Sequence, residues 1–349
     1  MSLAIVTGAP GWLGTRLVDT LLNGLTEAPL VSAPLFAQVR VLALPDADIS
    51  DLKRFGSAVE IVHGDLKDGS GVPKLFSNAE GATIFHVAGI IHPTGGVKEL
   101  YQVNENGTQT MMDAALRVNA KRFIHVSSNS PIGIAKAGST IFDEKSPYNP
   151  YMNYGKSKKA GEDIVNKAHA TGKIETVIIR PPWFYGPNQP ARQTLFFTMV
   201  KDGKAPIVGS GNNLRSMAYI DNICQGLLLC HKVEEAKGNT YWIADKEPYS
   251  MNQVIDTIEK VLTNDFGIAC QGKRMRLPDL ASEVAVAIDG TLQGLGLYHQ
   301  KFHVLSEMNK NIACSVAKAE RELGYKPTVA LEEGMRRSID WVLKHGQTI

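Results

Sequence analysis

Tyr154 and Lys158 stand four residues apart in NYGKSKKAGE, a spacing that places both side chains on one face of a helix. A phenol titrates near pH ~10 and is a weak base at neutrality, being mostly protonated there. A neighbouring ammonium favours the phenolate and lowers that value. Such a pair can take a proton from an alcohol or return one to a ketone. The same spacing also occurs by chance on solvated helices, so its meaning depends on what accompanies it.

A partner for that chemistry is legible at residues 3–14, LAIVTGAPGWLG. The apolar run Leu3, Ala4, Ile5, Val6 is too short for a helix and ends in three glycines, Gly8, Gly11 and Gly14. From Thr15 to Leu22 the apolar residues Leu17, Val18, Leu21 and Leu22 resume at helical spacing, so the stretch predicts a buried strand turning sharply into a helix. The first N–H groups of that helix lack partners and lie at the positive end of its dipole. With glycines permitting close approach, a pyrophosphate can rest there.

Further strands are expected at Val39–Leu44, at VEIVHG before Asp65 and Leu66, at Thr83–Val87 before Ala88 and Gly89, at RFIHVSSNS, and at ETVIIR before PPWFYGP. Between the first helix and second strand, residues 24–38 contain Pro29 and Pro34 and read as an insertion forming a surface loop. The second strand ends LALPDAD, with Ala43 and Leu44 where an acid or arginine would choose between cofactors. Asp46 or Asp48 can reach a ribose, which leans the choice to NAD and leaves NADP open. A helix is expected to open near VNENGT, with Met111, Met112, Ala115 and Leu116 on its apolar side. His86 and His92 read as structural because no acidic or cysteine partner accompanies them.

Taken in order, these motifs resemble the short-chain dehydrogenase/reductase superfamily, and specifically its extended branch. The spacing TGxxGxxG, the N-x-x-G-T element at Asn104, the serines ending the fifth strand, and Tyr154-x-x-x-Lys158 carry the likeness. So do RPPWFYGP, GSGNNLRSMAYIDN with Arg215, Tyr219 and Asp221, and the closing AKAERELGYKP. The resemblance implies that Thr7, Gly8, Gly11, Trp12, Leu13 and Gly14 hold the cofactor and that Asp65 and Leu66 meet its adenine. It implies that Ala88 and Gly89 lie along its diphosphate and ribose, and that Pro181 abuts the nicotinamide. Asn104 would hold a water in the proton path, with a plain helix cap as the competing role. Ser128, with Ser127 as fallback, would orient the substrate oxygen. Tyr154 would be the acid/base, and Lys158 would tune it and hold the ribose. Trp183 and Tyr185 would line the substrate side or pack a domain interface, and Arg215 would meet a substrate phosphate.

The implied fold is α/β: a Rossmann-like doubly wound parallel sheet with a smaller C-terminal substrate-binding domain. Residues 1–180 would bind NAD(P), with 213–245 returning to that domain, and 181–212 with 246–349 would bind substrate. Leu280, Val284, Ile288, Leu292 and Leu295 recur every three or four residues, and packing of that apolar face on the core is expected ahead of a hydrophobic lid. The implied reaction is hydride exchange at a secondary alcohol or ketone. A nucleoside-diphosphate-sugar epimerase ranks first on Arg215. A 3β-hydroxysteroid-type dehydrogenase acting on a hydrophobic alcohol ranks second, on Trp183 and the 280–295 helix. Dehydration is disfavoured because Asn129 and Ser130, not an acid pair, follow Ser128. A non-catalytic NAD(P)-sensing protein is disfavoured by the intact Tyr154 and Lys158.

Composition narrows the setting. With 349 residues, 44% hydrophobic and 21% charged, the chain can bury a large core. Its formal net charge of +2 gives no electrostatic case for nucleic acid or an anionic surface. Cys224, Cys230, Cys270 and Cys314 form no CxxC pair, which points to structural thiols in a reducing, cytoplasmic setting and to no metal. Met1–Val6 is too short and uncharged for a signal peptide. No apolar run approaches roughly 18 residues, so no membrane span is expected. The resemblance also implies a homodimer formed through the helices bearing Asn104 and Tyr154.

Overall fold

The computed structural model describes residues 3–135 and 141–349. Seven strands among them form one parallel sheet: β1 (Ala4–Thr7), β2 (Val39–Ala43), β3 (Val59–His63), β4 (Thr83–His86), β5 (Arg122–Val126), β6 (Glu175–Arg180) and, far along the chain, Thr240–Trp242. The spatial order is β3-β2-β1-β4-β5-β6 followed by Thr240–Trp242, so the order reverses between β1 and β4. In open α/β sheets the crevice beyond the carboxyl ends of the strands at such a reversal is where ligands bind. β1, β4 and β5 are buried throughout, as near-continuous apolar strands covered on both faces must be. Two apolar clusters occupy the two sides of the sheet, one around Leu17, Val41, Ile124, Val177 and Leu227, the other around Ile5, Ile84, Met111, Phe123 and Val165.

Helices connect the strands. These are α1 (Trp12–Asn23), the short α2 (Ser50–Lys53) and α3 (Val72–Leu75), α4 (Val97–Tyr101), α5 (Thr108–Arg117) and α6 (Met152–Ala170). Beyond β6 come a short strand β7 (Trp183–Tyr185), α7 (Ala191–Lys201), the strands β8 (Pro206–Val208), β9 (Leu214–Arg215) and β10 (Met217–Tyr219), and α8 (Ile220–Lys232). Then follow the sheet strand Thr240–Trp242, α9 (Met251–Phe266), and a helical hairpin of α10 (Leu280–Gly294) and α11 (Gln300–Glu307). Two helices, α12 (Ala317–Leu323) and α13 (Leu331–Lys344), end the fold. Among the described residues no helix is long and apolar enough to cross a membrane.

Three sequence expectations change here. First, α4 and α5 are one continuous helical run joined by a π-helical turn at Gln102–Gly107. No helix opens at VNENGT, and Asn104 lies inside the run rather than capping it. Second, the 24–38 insertion is not a free surface loop. Leu25, Ala28, Val31 and Phe36 are buried in the core, the Phe36 ring packs tilted against His231 of α8 with centroids 4.7 Å apart, and Glu27 pairs with Arg337 at 2.7 Å. Third, α10 is turned the other way round. Its buried residues are Ser282, Ala285, Asp289 and Gln293, while Leu280, Val284 and Leu295 are 67%, 48% and 72% exposed and Ile288 and Leu292 are half-buried. The helix presents its polar stripe inward because partners wait there: Asp289 meets His303 at 2.8 Å, Gln293 accepts from the Asn153 N–H at 3.0 Å, and Ser282 donates to the Ser306 carbonyl at 2.9 Å.

Candidate active site

The chain leaves β1 at Thr7 and turns through Gly8, whose φ of +88° is open to glycine at little cost. A Cβ there would lie 2.8 Å from the Ala88 N, so the turn can rest directly on the end of β4. α1 begins after Gly11 with no side-chain cap, and its first backbone bond to the preceding turn runs from the Thr15 N–H to the Gly11 carbonyl at 2.9 Å. The Trp12, Leu13 and Gly14 N–H groups are thus the uncapped first turn of a helix at the carboxyl edge of the sheet, a donor set that fits an anionic diphosphate. The Trp12 side chain is engaged elsewhere, donating to the Pro187 carbonyl at 2.7 Å and packing on Phe184. Arg16 grips Asp221 with two bonds of 2.6 and 3.0 Å, tying α1 to α8 behind the turn.

Beside this turn, Ala88 is half-buried and Gly89 exposed at the end of β4. A Cβ on Gly89 would lie 3.3 Å from Asn104 Oδ1 and 3.4 Å from Lys158 Nζ, which places the β4 exit against both polar side chains. Asp65 and Leu66 follow β3 on the other flank; Asp65 Oδ1 accepts from the Lys67 N–H at 2.9 Å, closing a local turn. Leu66 is buried, whereas Leu44 at the end of β2 is exposed. Pro181 is buried at the end of β6.

On α6, Tyr154 and Lys158 are both buried and share one face. Close packing of α6 on the π turn requires Gly161, where a Cβ would come within 3.0 Å of the Asn104 carbonyl oxygen. Lys158 Nζ donates to the Val126 carbonyl at 2.8 Å, and burial pulls its pKa down to about 8 against the attraction of Glu162. Burial pushes the Tyr154 phenol up to about 12, and the hydrogen-bonding Ser128 hydroxyl is the neighbour that draws it back. In the protein alone the phenol stays high because burial dominates at Tyr154, and Lys158 Nζ is hydrogen-bonded to the backbone of β5.

The two serines ending β5 are separated by their partners. Ser127 donates to Glu162 Oε1 at 2.6 Å, and Glu162 is buried in a two-bond pair with Arg180 at 2.6 and 2.9 Å. Ser127 is therefore committed away from the cleft, and Ser128 is the serine beside Tyr154. Asn104 is also committed: its Oδ1 accepts from the Ile90 N–H at 2.9 Å, and its Nδ2 donates to the Ile90 carbonyl at 2.9 Å and to Ser157 Oγ at 3.0 Å.

Tyr185 is not brought to this cluster. It is buried, donates to Asp245 at 2.8 Å and packs edge-on against Tyr219, so it braces the junction of β7, β10 and α13. Trp183 is half-buried against Phe196 of α7. Arg215 is held by α11: its Nη2 donates to the Glu307 carbonyl at 2.9 Å, the Glu307 carboxylate lies at 3.9 Å, and its Nε is buried without a partner. Beyond burial, the Glu307 charge raises the Tyr154 phenol, Tyr154 in turn raises that of Tyr298, and the Tyr151 hydroxyl donates to Ser306 Oγ at 2.7 Å, so the α10–α11 hairpin roofs the site. Glu162, Arg180, Tyr298 and Glu307 were missed from sequence. Glu162 carried a signal there, four residues beyond Lys158 on the same helical face, and Arg180 opened the RPPWFYGP motif.

Residues 5–278 match the model of the 3-beta hydroxysteroid dehydrogenase/isomerase family. Over 347 residues, 99% of this chain and 96% of the relative, the sequence is 48% identical to uncharacterized protein y4nL of Sinorhizobium fredii. It is 28% identical over 362 residues to 3beta-hydroxysteroid-dehydrogenase/decarboxylase isoform 1 of Arabidopsis thaliana, covering 96% of this chain and 78% of that one. Among solved structures, the dTDP-glucose 4,6-dehydratase DesIV of Streptomyces venezuelae, determined with NAD bound, superposes with a TM-score of 0.74 at 25% identity, over 98% of this chain and 97% of that one.

Proposed function

Because this chain belongs to the 3-beta hydroxysteroid dehydrogenase/isomerase family, an enzyme family of the short-chain dehydrogenase/reductase type, we propose that it is an NAD(P)-dependent oxidoreductase performing net turnover between a secondary alcohol and a ketone on a bulky hydrophobic substrate. The sequence alone ranks a nucleotide-sugar epimerase first, on Arg215. The geometry of that same residue moves the preference. A diphosphate reaching Arg215 must displace or sit beside the Glu307 carboxylate at 3.9 Å, an anion in the place where an anion is wanted. The exposed Leu295 and Leu297 at the hairpin turn, and Ile91 on the loop whose Val97 N–H donates to the Gly296 carbonyl, give the neighbouring surface an apolar character.

In this reading a bound nicotinamide supplies the hydride acceptor or donor. The uncapped N–H groups of Trp12, Leu13 and Gly14 hold its diphosphate, with Thr7, Gly8 and Gly11 shaping the turn, and Asp65 and Leu66 flank the adenine. Ala88, Gly89 and Pro181 line its path across the strand ends, and Lys158 holds the nicotinamide ribose. The substrate oxygen is held by the Ser128 and Tyr154 hydroxyls, and in oxidation Tyr154 takes the alcohol proton as phenolate. A cationic neighbour stabilises that phenolate, so the tuning that burial opposes in the protein alone is completed when the site is loaded.

Nucleotide-sugar epimerisation remains the second reading, favoured by the unpartnered, buried Nε of Arg215. One experiment separates the two: incubate the protein with NAD or NADP and either a 3β-hydroxysteroid or UDP-glucose, following reduced cofactor at 340 nm and nucleotide binding by calorimetry. Reduction with the steroid supports the dehydrogenase reading. UDP-glucose binding that Arg215→Ala abolishes, with no net cofactor reduction, overturns it in favour of the epimerase.

A further inference from the structure

A string of buried polar groups joins the glycine turn to the catalytic helix without passing through the cleft. The Ala88 N–H donates to Thr7 Oγ1 at 3.2 Å, Thr7 Oγ1 lies 2.8 Å from His86 Nδ1, His86 Nε2 lies 3.1 Å from Thr108 Oγ1, and Thr108 donates to the Asn104 carbonyl at 2.8 Å. From Asn104 the string continues through Ser157 Oγ at 3.0 Å to the Tyr154 carbonyl at 2.9 Å. Thr7, His86, Thr108 and Ser157 are fully buried and Asn104 is nearly so.

Donor and acceptor counting gives the string one polarity. The Thr108 hydroxyl has a single proton and spends it on the Asn104 carbonyl, so it must accept from His86 Nε2–H. His86 Nδ1 is then bare and accepts from Thr7, whose remaining capacity takes the Ala88 N–H. A protonated imidazole would set Nδ1–H against a hydroxyl left with no acceptor for its own proton. The surroundings forbid that charge as well, since burial and the nearby Lys158 ammonium hold the His86 pKa down at about 3. His86 is therefore a neutral, fully satisfied link with a fixed tautomer.

We propose that His86 is a positioning residue that sets the π turn bearing Asn104, and through it Ser157 and the Tyr154 turn of α6, according to the placement of the cofactor-binding turn at Thr7–Gly14. The acceptor at the far end makes this specific. The Asn104 carbonyl lies within the i→i+5 turn, where the regular helical ladder is interrupted, and the Thr108 hydroxyl braces it. Satisfied buried networks of this kind hold one arrangement rigidly, because any partner lost leaves a desolvated group unpaired.

This inference rests on the site being a nicotinamide site, and its test reads the chain directly rather than turnover. Hydrogen exchange by mass spectrometry is followed on the full chain, with and without saturating NAD. In the wild type, NAD should slow exchange both in peptides covering 5–15 and in peptides covering 102–108. Thr108→Val, which keeps the shape and removes the hydroxyl, should retain the first protection and lose at least about fivefold of the second, the size of a modest coupling between sites. Thr108→Ser should restore it, and His86→Phe should behave like Thr108→Val where it folds. Protection at 102–108 that survives Thr108→Val, or that Thr108→Ser fails to restore, overturns the proposal. Wild-type protection confined to 5–15 does the same while leaving the cofactor reading intact. No protection at 5–15 with either NAD or NADP overturns both.

Discussion

The Ser127 hydroxyl donates to Glu162 Oε1 at 2.6 Å, and the same carboxylate receives Arg180, so the serine next in sequence to the candidate substrate-orienting Ser128 serves the scaffold instead. The two residues should respond to alanine in opposite ways. Ser128→Ala removes a donor to the substrate oxygen and should lower kcat by about 10- to 1,000-fold with little change in melting temperature. Ser127→Ala leaves a buried carboxylate short of one bond and should cost about 1–3 kcal/mol of stability, with turnover of the folded protein retained. Urea denaturation and steady-state kinetics on both variants check this. Equal kinetic losses would sink the assignment.

Arg180 and Glu162 form a buried pair, 3% and 0% exposed at the side chain. Arg180→Met strands the Glu162 carboxylate beneath α6 and should destabilise by about 3–5 kcal/mol. Replacing both residues, with Met at 180 and Gln at 162, should recover a large part of that loss. Chemical denaturation of the two single variants and the double variant measures the coupling, and additive losses would count against it.

In the proposed reaction Tyr154 carries the proton, and burial opposes its ionisation. Tyr154→Phe should therefore reduce turnover by about 100- to 10,000-fold in either direction while NADH binding by fluorescence stays close to wild type. Alcohol oxidation needs the phenolate, so its kcat/KM should rise with pH, and ketone reduction, which needs the phenol, should fall. Lys158→Met removes a cation and should move both limbs to higher pH. An unmoved profile would show that Lys158 serves the ribose alone.

His303 is buried within the roof, with its pKa raised by the Asp289 hydrogen bond and by the charges of Glu307 and Asp289 against the burial that lowers it. A histidine raised on folding adds stability that is fully present below its unfolded value near pH ~6.5 and is lost as pH rises through the folded value. Exchange protection of residues 280–307, corrected for intrinsic rates, should thus decline as pH is raised above that value. In His303→Gln the decline should vanish. A pH-independent wild type would contradict the role of this pair.

The sheet and the glycine turn were legible because their signals are local. Ala4–Thr7 is a short apolar run stopped by glycine, and Tyr154 with Lys158 share a face by spacing alone. The resemblance placed Ser128 ahead of Ser127, but the physical reason was not legible, since it is supplied by Glu162 and Arg180 from other elements. The π turn was hidden as well: VNENGT looks like a helix start, and nothing local announces an i→i+5 bond. For α10, the periodicity of Leu280, Val284, Ile288 and Leu292 revealed two faces without saying which faces in. That was decided by Asn153 on α6 and by His303 and Ser306 on α11, whose polar groups meet Gln293, Asp289 and Ser282.

That reversal sets the thermal behaviour of the roof. Lifting α10 and α11 together would break the Gln293–Asn153 and Tyr151–Ser306 bonds and leave the Asp289–His303 and Ser282–Ser306 bonds closed inside the hairpin, while Leu280, Val284, Leu295, Leu297 and Val304 already face water. Hydrating polar surface lowers heat capacity whereas hydrating apolar surface raises it. Opening should therefore carry a small heat-capacity change, unlike the large positive one of global unfolding. Its enthalpy then stays nearly constant with temperature, and the roof gains little cold-induced loosening from a fading hydrophobic effect.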